Sequence, residues 1–171
     1  MTHRAMVEET TTSPPSLATT VSTIAAVISS EHFPTGDRAA LRRLSPGQPT
    51  SLAFCRFAFR HLPESWESRQ DSWVVIVAGI ALMCPNPHQP GRPAGRALAE
   101  CDYSEKRLER LLAADEGTLH TLTLRAARFL AAKRETCNWV DFANLLLVQD
   151  LGKRESARLQ IARDFYRNQK D

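Results

Sequence analysis

Arginine side chains are the groups in this sequence best suited to bind a charged ligand. The chain has 18 arginines and 4 lysines, and most of the arginines follow residue 90. A guanidinium group is planar, permanently charged and well matched to phosphate oxygens. An arginine excess of this kind therefore indicates a protein that binds a nucleic-acid backbone. The alternative is a solvated, salt-bridged surface, because 19 acidic residues leave a formal net charge of only +3.

The other reactive side chains lack the spacing that enzymes and metal sites need. The five histidines never fall at HxH or HxxxH spacing, and no cysteine or carboxylate pair joins them in a ligand pattern. The sequence also has no glycine-rich phosphate loop. The four cysteines are scattered, without CxxC pairs and without a secretory signal peptide before them, which is typical of reduced core thiols. We therefore predict a cytoplasmic, non-enzymatic protein without a metal or another cofactor.

Hydrophobic periodicity predicts an all-α fold. No segment alternates with a period of two, whereas apolar residues recur at helical spacing along most of the chain. The longest apolar run, Trp73–Cys84, is too short to cross a membrane, so we expect a buried helix there. Breakers between residues 85 and 93 suggest two packed helical bundles of short amphipathic helices. The predicted divisions are a disordered tail over 1–15, an N-terminal helical half over 16–84, a Pro-rich loop over 85–93 and a C-terminal helical half over 94–171.

Capping residues predict where several helices begin. Asp37 is a candidate N-cap for a helix over 38–44, and Ser104 and Asn138 are candidate N-caps further along the chain. The last helix is expected from Lys153 onward.

Aromatic residues are expected mainly in the core. A helix over 52–62 has apolar residues at most positions, including Phe59, and is predicted to be mostly buried. Tyr166 is expected to help hold the last helix. Aromatic stacking is a second way to bind single strands, and Trp66 is the best candidate among the tryptophans for such a platform.

Several short segments, taken in order, carry a family resemblance. They are Gly36–Arg43, Gly95–Ala99, Ser104–Leu108, Leu124–Arg125, Asn138–Trp139 with Asn144–Leu146, and Gly152–Arg154. Their order and mutual spacing resemble the small subunit of the type I-E CRISPR surveillance complex Cascade, the CasB family. The resemblance extends from about residue 21 to residue 168, although residues 85–93 match no part of the family pattern.

The resemblance implies a function as well as a fold. Members of this family are all-helical, non-catalytic and bind nucleic acid without sequence preference. They sit as a head-to-tail pair in the complex, against the large subunit, the backbone subunits, the guide RNA with its target DNA strand, and the displaced non-target strand. The resemblance thus implies a protein that stabilises the R-loop and has no membrane partner.

The resemblance and the arginine excess together select nine basic residues as candidate nucleic-acid contacts. These are Arg38, Arg42, Arg43, Arg96, Arg107, Arg110, Arg125, Lys153 and Arg154. Each has a competing structural use. Arg96 can pair with Glu100 one turn later, and Arg125 can pack its aliphatic stem on the bundle.

Two other functional classes stay open on the sequence alone. A helix-turn-helix regulator would place a recognition helix in the major groove and prefer one DNA sequence. A purely structural adaptor would use its arginines for protein contacts only.

Overall fold

A computed structural model describes residues 13–170 and consists almost entirely of α-helices. Within these residues the helices are α1 Leu17–Ser29, α2 Thr35–Arg42, α3 Leu52–His61, α4 Gln70–Leu82, α5 Ala94–Glu100, α6 Glu105–Ala113, α7 Glu116–Ala132, α8 Trp139–Leu147 and α9 Leu151–Asn168, with a 3₁₀ helix over Glu64–Arg69. The described residues include no β-strand, only one isolated bridge between His88 and Cys137. The predicted all-α fold is confirmed. Most of the predicted tail, residues 1–12, lies outside the described residues.

Helix α4 lies at the centre of the core. Every residue from Ser72 to Ala81 is buried, because α1, α2, α7 and α8 all pack against this helix. A helix surrounded in this way needs no polar face, which explains its continuous apolar run. Among residues 13–170, no helix is long and apolar enough to span a membrane. Buried residues before and after 85–93 belong to one hydrophobic core, and the division into two halves stays a prediction.

The Pro-rich loop over 85–93 is held by hydrogen bonds and ion pairs. The backbone N–H of Asn138 donates to the carbonyl of Arg92 over 2.7 Å. The guanidinium of Arg92 pairs with Glu100 at 2.9 Å and with Glu135. These contacts attach the loop to the start of α8 and the end of α5, so it is a packed connection.

His88 in this loop is held as a neutral imidazole. The backbone N–H of Trp139 donates to its Nδ1 over 3.1 Å, and Ser22 Oγ lies 3.4 Å from its Nε2. Burial lowers the pKa of His88, with the carbonyl of Cys137 acting in the opposite direction. Protonation of Nδ1 would break the bond from Trp139 and place a positive charge at the N-terminus of α8.

We expect the free energy of unfolding to fall when the pH drops below about 6.5, the usual histidine pKa. Burial lowers the pKa of His61, His88 and His120 in the folded protein, so the unfolded chain binds more protons below that pH. This stability is fully present above the unfolded pKa and is lost as the pH falls. Urea midpoints at about pH 7.5 and 5.5 should differ less in His88→Gln, whose amide does not titrate. An equal pH response in parent and variant would contradict the role of His88.

The N-cap predictions at Ser104 and Asn138 are confirmed, and the predicted start of the last helix lies two residues too late. The side chains of Ser104 and Asn138 accept backbone N–H bonds at the starts of α6 and α8. Helix α9 begins at Leu151, because the Asp150 carboxylate accepts the N–H of Lys153 over 2.9 Å. Lys153 therefore lies inside the first turn of α9.

Asp37 is not the N-cap predicted for a helix over 38–44. Helix α2 already begins at Thr35, directly after Pro34, whose φ of −57° suits a helix start. Asp37 lies in the first turn, where a carboxylate is favoured by the helix dipole. It also pairs with Arg56 at 3.0 Å, which ties α2 to α3.

Some apolar residues expected in the core are exposed. On α3, Leu52 is 76% and Phe59 is 71% exposed, because these two residues, seven apart, share the face that points away from α1 and α2. On α9, Tyr166 is 52% exposed. The stacking role considered for Trp66 is wrong, since this ring is buried and packs edge-on against Phe54 with ring centres 5.6 Å apart.

Helices α5 and α9 touch backbone to backbone at Gly95. A Cβ atom at this position would lie 2.1 Å from the carbonyl oxygen of Ile161 and 2.8 Å from the backbone nitrogen of Phe165. Only glycine allows such an approach. The contact places the side chains of Ile161 and Phe165 in the core, where both are buried.

Candidate nucleic-acid interface

Helices α6 and α7 form a hairpin with a groove on its outer side. The inner face of α6 is held in the core by Leu108 and Leu111, which are both buried. Residues 103, 107 and 110 from α6 and its N-terminal flank share one side, and residues 122, 125 and 129 share one side of α7. These two sets face each other across the groove.

Three of the nine predicted contacts meet in this groove. It has a volume of about 320 Å³ and is lined by Tyr103, Arg107, Arg110, Leu122, Arg125 and Phe129. All three arginines are exposed. No acidic residue of the described chain lines the groove, and none of its arginines forms an ion pair within residues 13–170. The groove therefore concentrates positive charge without an internal counterion.

Two aromatic rings support the guanidinium of Arg107. Tyr103 and Phe129 pack edge to face with ring centres 5.1 Å apart. The central carbon of the Arg107 guanidinium lies 6.0 Å from the ring centre of Tyr103 and 5.9 Å from that of Phe129. Cation–π attraction orients the guanidinium over the rings and leaves its N–H groups available to an acceptor.

The electrostatics of the groove favour an anion. Burial raises the pKa of Tyr103, while the positive charges of Arg107 and Arg125 act in the opposite direction. Both arginines are thus close enough to influence the Tyr103 phenol. Convergent like charges repel one another, and a bound phosphate would relieve that repulsion.

Three other predicted contacts hold the ends of helices. Arg38 Nε donates to the carbonyl of Ile28 at the end of α1 over 2.9 Å. Arg42 Nε donates to the carbonyl of Ala81 at the end of α4, also over 2.9 Å. Arg154 Nη2 donates to the carbonyl of Val148, the C-cap residue of α8, over 3.1 Å. The last carbonyls of a helix lack intrahelical partners and carry the negative end of its dipole, so arginine stabilises them.

The remaining three candidates lie outside the groove. Arg96 pairs with Glu100 over 2.7 Å, which is the structural use that the sequence allowed for it. Arg43 and Lys153 are exposed, and their side chains form no hydrogen bond or ion pair with any residue that the structure describes.

Sequence reasoning missed the apolar lining of the groove. The helical spacing of Leu119, Leu122, Ala126, Phe129 and Leu130 predicts that all five point inward. Leu122 and Phe129 are only half-buried, because they border the opening between α6 and α7. Their spacing relative to Arg125, three and four residues away, is the signal that could have placed all three on one face.

A serine and a histidine touch in the core without forming a nucleophile and its base. Ser72 Oγ lies 3.0 Å from His120 Nε2. The Ser72 hydroxyl also lies 3.1 Å from the carbonyl of Leu146, which can only accept, so both bonds are made when His120 Nε2 donates. A general base must accept the proton of the nucleophile. This pair instead fastens α4 and α7 to the end of α8.

Comparison with known proteins identifies the family. The model of the family described as CRISPR-associated protein Cse2 matches residues 37–166, a range that includes all nine candidate contacts and the groove. Neither the curated proteins nor the solved structures provide a match. Because the matched range exceeds half of the chain, this protein belongs to the Cse2 family, the small subunit of the type I-E CRISPR complex Cascade.

Proposed function

We propose that this Cascade subunit binds nucleic-acid backbone through the groove between α6 and α7, without sequence preference, and thereby stabilises the R-loop. The observation that supports this proposal is the convergence of Arg107, Arg110 and Arg125 with no acidic neighbour lining the groove in the described chain. The proposed ligands are the guide RNA, the target strand and the displaced non-target strand. The protein has no catalytic part in this role.

A few phosphate contacts are enough for the proposed task. Replacing a DNA duplex by a guide–target heteroduplex is nearly balanced in free energy, so protein–backbone contacts can tip the exchange. Phosphates carry no base information, and contacts to them apply equally to every target. A protein that serves all guides needs this sequence-independent contribution.

The six other basic candidates are proposed as secondary contacts. Arg43 and Lys153 are exposed and unpaired within residues 13–170, so they can meet a phosphate without giving up an internal bond. Arg38, Arg42 and Arg154 already donate to helix-end carbonyls, and Arg96 is paired with Glu100. We expect these four to contribute less than the groove arginines.

Two exposed apolar faces are proposed as contacts with other Cascade subunits. One is on α3, at Leu52 and Phe59, and the other is on α9, at Leu151 and Leu159, which are 79% and 52% exposed. Apolar side chains exposed together on one helix face usually mark a protein interface. The large subunit, the backbone subunits and a second copy of this chain are the proposed partners.

Affinity for unrelated DNA and RNA sequences should agree within about threefold and should fall steeply with salt. Each neutralised phosphate contributes about 0.9 log units of affinity per log unit of salt for duplex DNA and about 0.7 for single strands. Fluorescence anisotropy with several random oligonucleotides over a salt series would measure both properties. A strong preference for one duplex sequence would instead indicate a helix-turn-helix regulator, and binding that ignores salt would indicate a structural adaptor.

A further inference from the structure

We infer that the groove between α6 and α7 holds one unpaired base, so that this protein binds single-stranded nucleic acid better than its charge alone would allow. The inference rests on the proposed function, because it names the part of the nucleic acid that the same groove takes. Three observations carry it: the size of the groove, the apolar side chains within it, and the planar cation on one side.

The groove is large enough to hold a single base. Its volume of about 320 Å³ is at the lower end of the range for pockets that hold small organic ligands. Phosphate contacts alone need no such concavity, since exposed arginines on a flat or convex surface can make them. The presence of a groove between the arginines is therefore better explained by a group that enters it.

The lining suits the flat face of a base. Leu122 and Phe129 contribute half-buried apolar surface from α7. Arg107 extends from α6 on the other side of the groove, and its guanidinium is supported by the rings of Tyr103 and Phe129. Guanidinium planes and aromatic rings are the two kinds of side chain on which unstacked bases lie in proteins that bind single strands.

The remaining charges suit the phosphates on either side of that base. Arg110 and Arg125 are exposed and line the same groove from opposite helices. A base between them would place its flanking phosphates within reach of one guanidinium each. The groove thus combines an apolar interior with a cationic border, which matches a nucleotide better than it matches an acidic peptide, whose carboxylates lack a flat apolar face.

Duplex nucleic acid cannot use the groove in this way. Its bases are paired and stacked, and extruding one costs a few kcal/mol. A duplex would therefore meet only the arginines, whereas a single strand would meet the arginines and the interior. Every base has a π-face, so stacking of this kind keeps the sequence independence of the proposed function.

The test compares a single strand with a matched strand that has no bases. The full chain would be titrated with an oligothymidylate of about 20 nucleotides and with an abasic phosphodiester strand of the same length and charge. We expect the oligothymidylate to bind roughly five- to tenfold more tightly, as one stacked base would give. Polyglutamate of similar charge would serve as the acidic-peptide probe and should bind more weakly than both strands.

Two variants locate the effect in the groove. Phe129→Leu removes the ring, and Leu122→Gln replaces an apolar side chain of the interior by a polar one while keeping every aromatic residue. Both variants should bring the two strands toward equal affinity and leave the salt slope unchanged, since neither alters a charge. Phe59→Leu is the matched control, because Phe59 is exposed on α3 and far along the chain from the groove. It should retain the full difference between the strands.

The outcomes separate the inference from the proposed function. If the parent protein binds the abasic strand as tightly as oligothymidylate, the inference is overturned while the backbone-binding function stands. Loss of the difference in Phe59→Leu, or its full survival in Phe129→Leu and Leu122→Gln, also overturns the inference. If neither strand shows salt-dependent binding, or polyglutamate binds best, the proposed function itself is wrong.

Discussion

Gly95→Ala should destabilise the folded protein by about 3 kcal/mol, at the upper end of what one overpacked methyl group causes. The added Cβ would lie 2.1 Å from the carbonyl oxygen of Ile161, and a backbone atom cannot rotate away as a side chain can. Relief requires α9 to move off α5, which pulls Ile161 and Phe165 out of the core. We therefore expect a lower urea midpoint together with partial loss of helical circular dichroism.

Gly117→Ala is the matched control for this prediction. Gly117 lies in the first turn of α7, and a Cβ at this position would meet no atom within 4 Å apart from its chain neighbours and the backbone of its own helix. Alanine is the better helix former by about 1 kcal/mol, so this variant should be as stable as the parent or slightly more stable. If Gly95→Ala unfolds at the same urea concentration as Gly117→Ala, the close approach of α5 and α9 is not as described.

The helices were predictable because local chemistry decides them. Ser104 and Asn138 were recognised as N-caps from residue type alone, since a cap needs only its own side chain and the next two or three residues. The burial of α4 was equally predictable from its continuous apolar run, because a helix surrounded on all sides is apolar at nearly every position. In each case the residue pattern that allows the prediction lies within a short stretch of sequence, even though the helices that bury α4 come from elsewhere in the chain.

Burial of side chains at the edges of the fold was not predictable, because it depends on which other helices pack against each face. Phe59 and Phe57 belong to the same helix and the same residue type, yet Phe57 is 4% and Phe59 is 71% exposed. Residue periodicity reports that α3 has apolar faces, not which face another helix covers. Tyr166 on α9 is exposed for the same reason, because no other helix of the described residues covers its face.

The candidate site was predictable only in part for a related reason. From the sequence alone, an arginine that binds phosphate cannot be distinguished from an arginine that donates to the carbonyls at a helix end. Arg42 donates to the carbonyl of Ala81, 39 residues away, and no residue near Arg42 in the sequence predicts that hydrogen bond. Arg107 and Arg125, by contrast, are brought together by the hairpin of α6 and α7, which short-range patterns do place.

Replacing Arg107, Arg110 and Arg125 together by glutamine should weaken nucleic-acid binding by roughly 10²–10³-fold at about 0.1 M salt. This magnitude follows from three phosphate contacts at about 0.9 log units each between 1 M and 0.1 M salt for duplex DNA. The salt slope should fall by about 2.7 for the same reason. Melting should change little, because the three side chains are exposed and surface substitutions usually alter stability by less than about 0.5 kcal/mol each.

The control must remove the same charge from a different place. Arg60, Arg163 and Arg167 are exposed on α3 and α9, do not line the groove, and form no ion pair within residues 13–170. Their triple glutamine variant lowers the formal net charge of +3 by the same three units. We expect it to keep most of the affinity, because bound phosphates respond to charges at contact distance more than to net charge.

A reconstituted Cascade complex gives this prediction its functional readout. The groove variant should assemble with the other subunits, since its proposed subunit contacts on α3 and α9 are unchanged. Its R-loops should form more slowly and dissociate faster than those of the complex with the parent subunit. Because the exchange of duplexes is nearly balanced, losing three phosphate contacts should shift it visibly toward the closed duplex. If both triple variants weaken binding equally, net charge rather than the groove accounts for the affinity. If neither triple variant weakens binding, the groove arginines only solvate the protein surface. R-loop contacts must then be sought at Arg43 and Lys153.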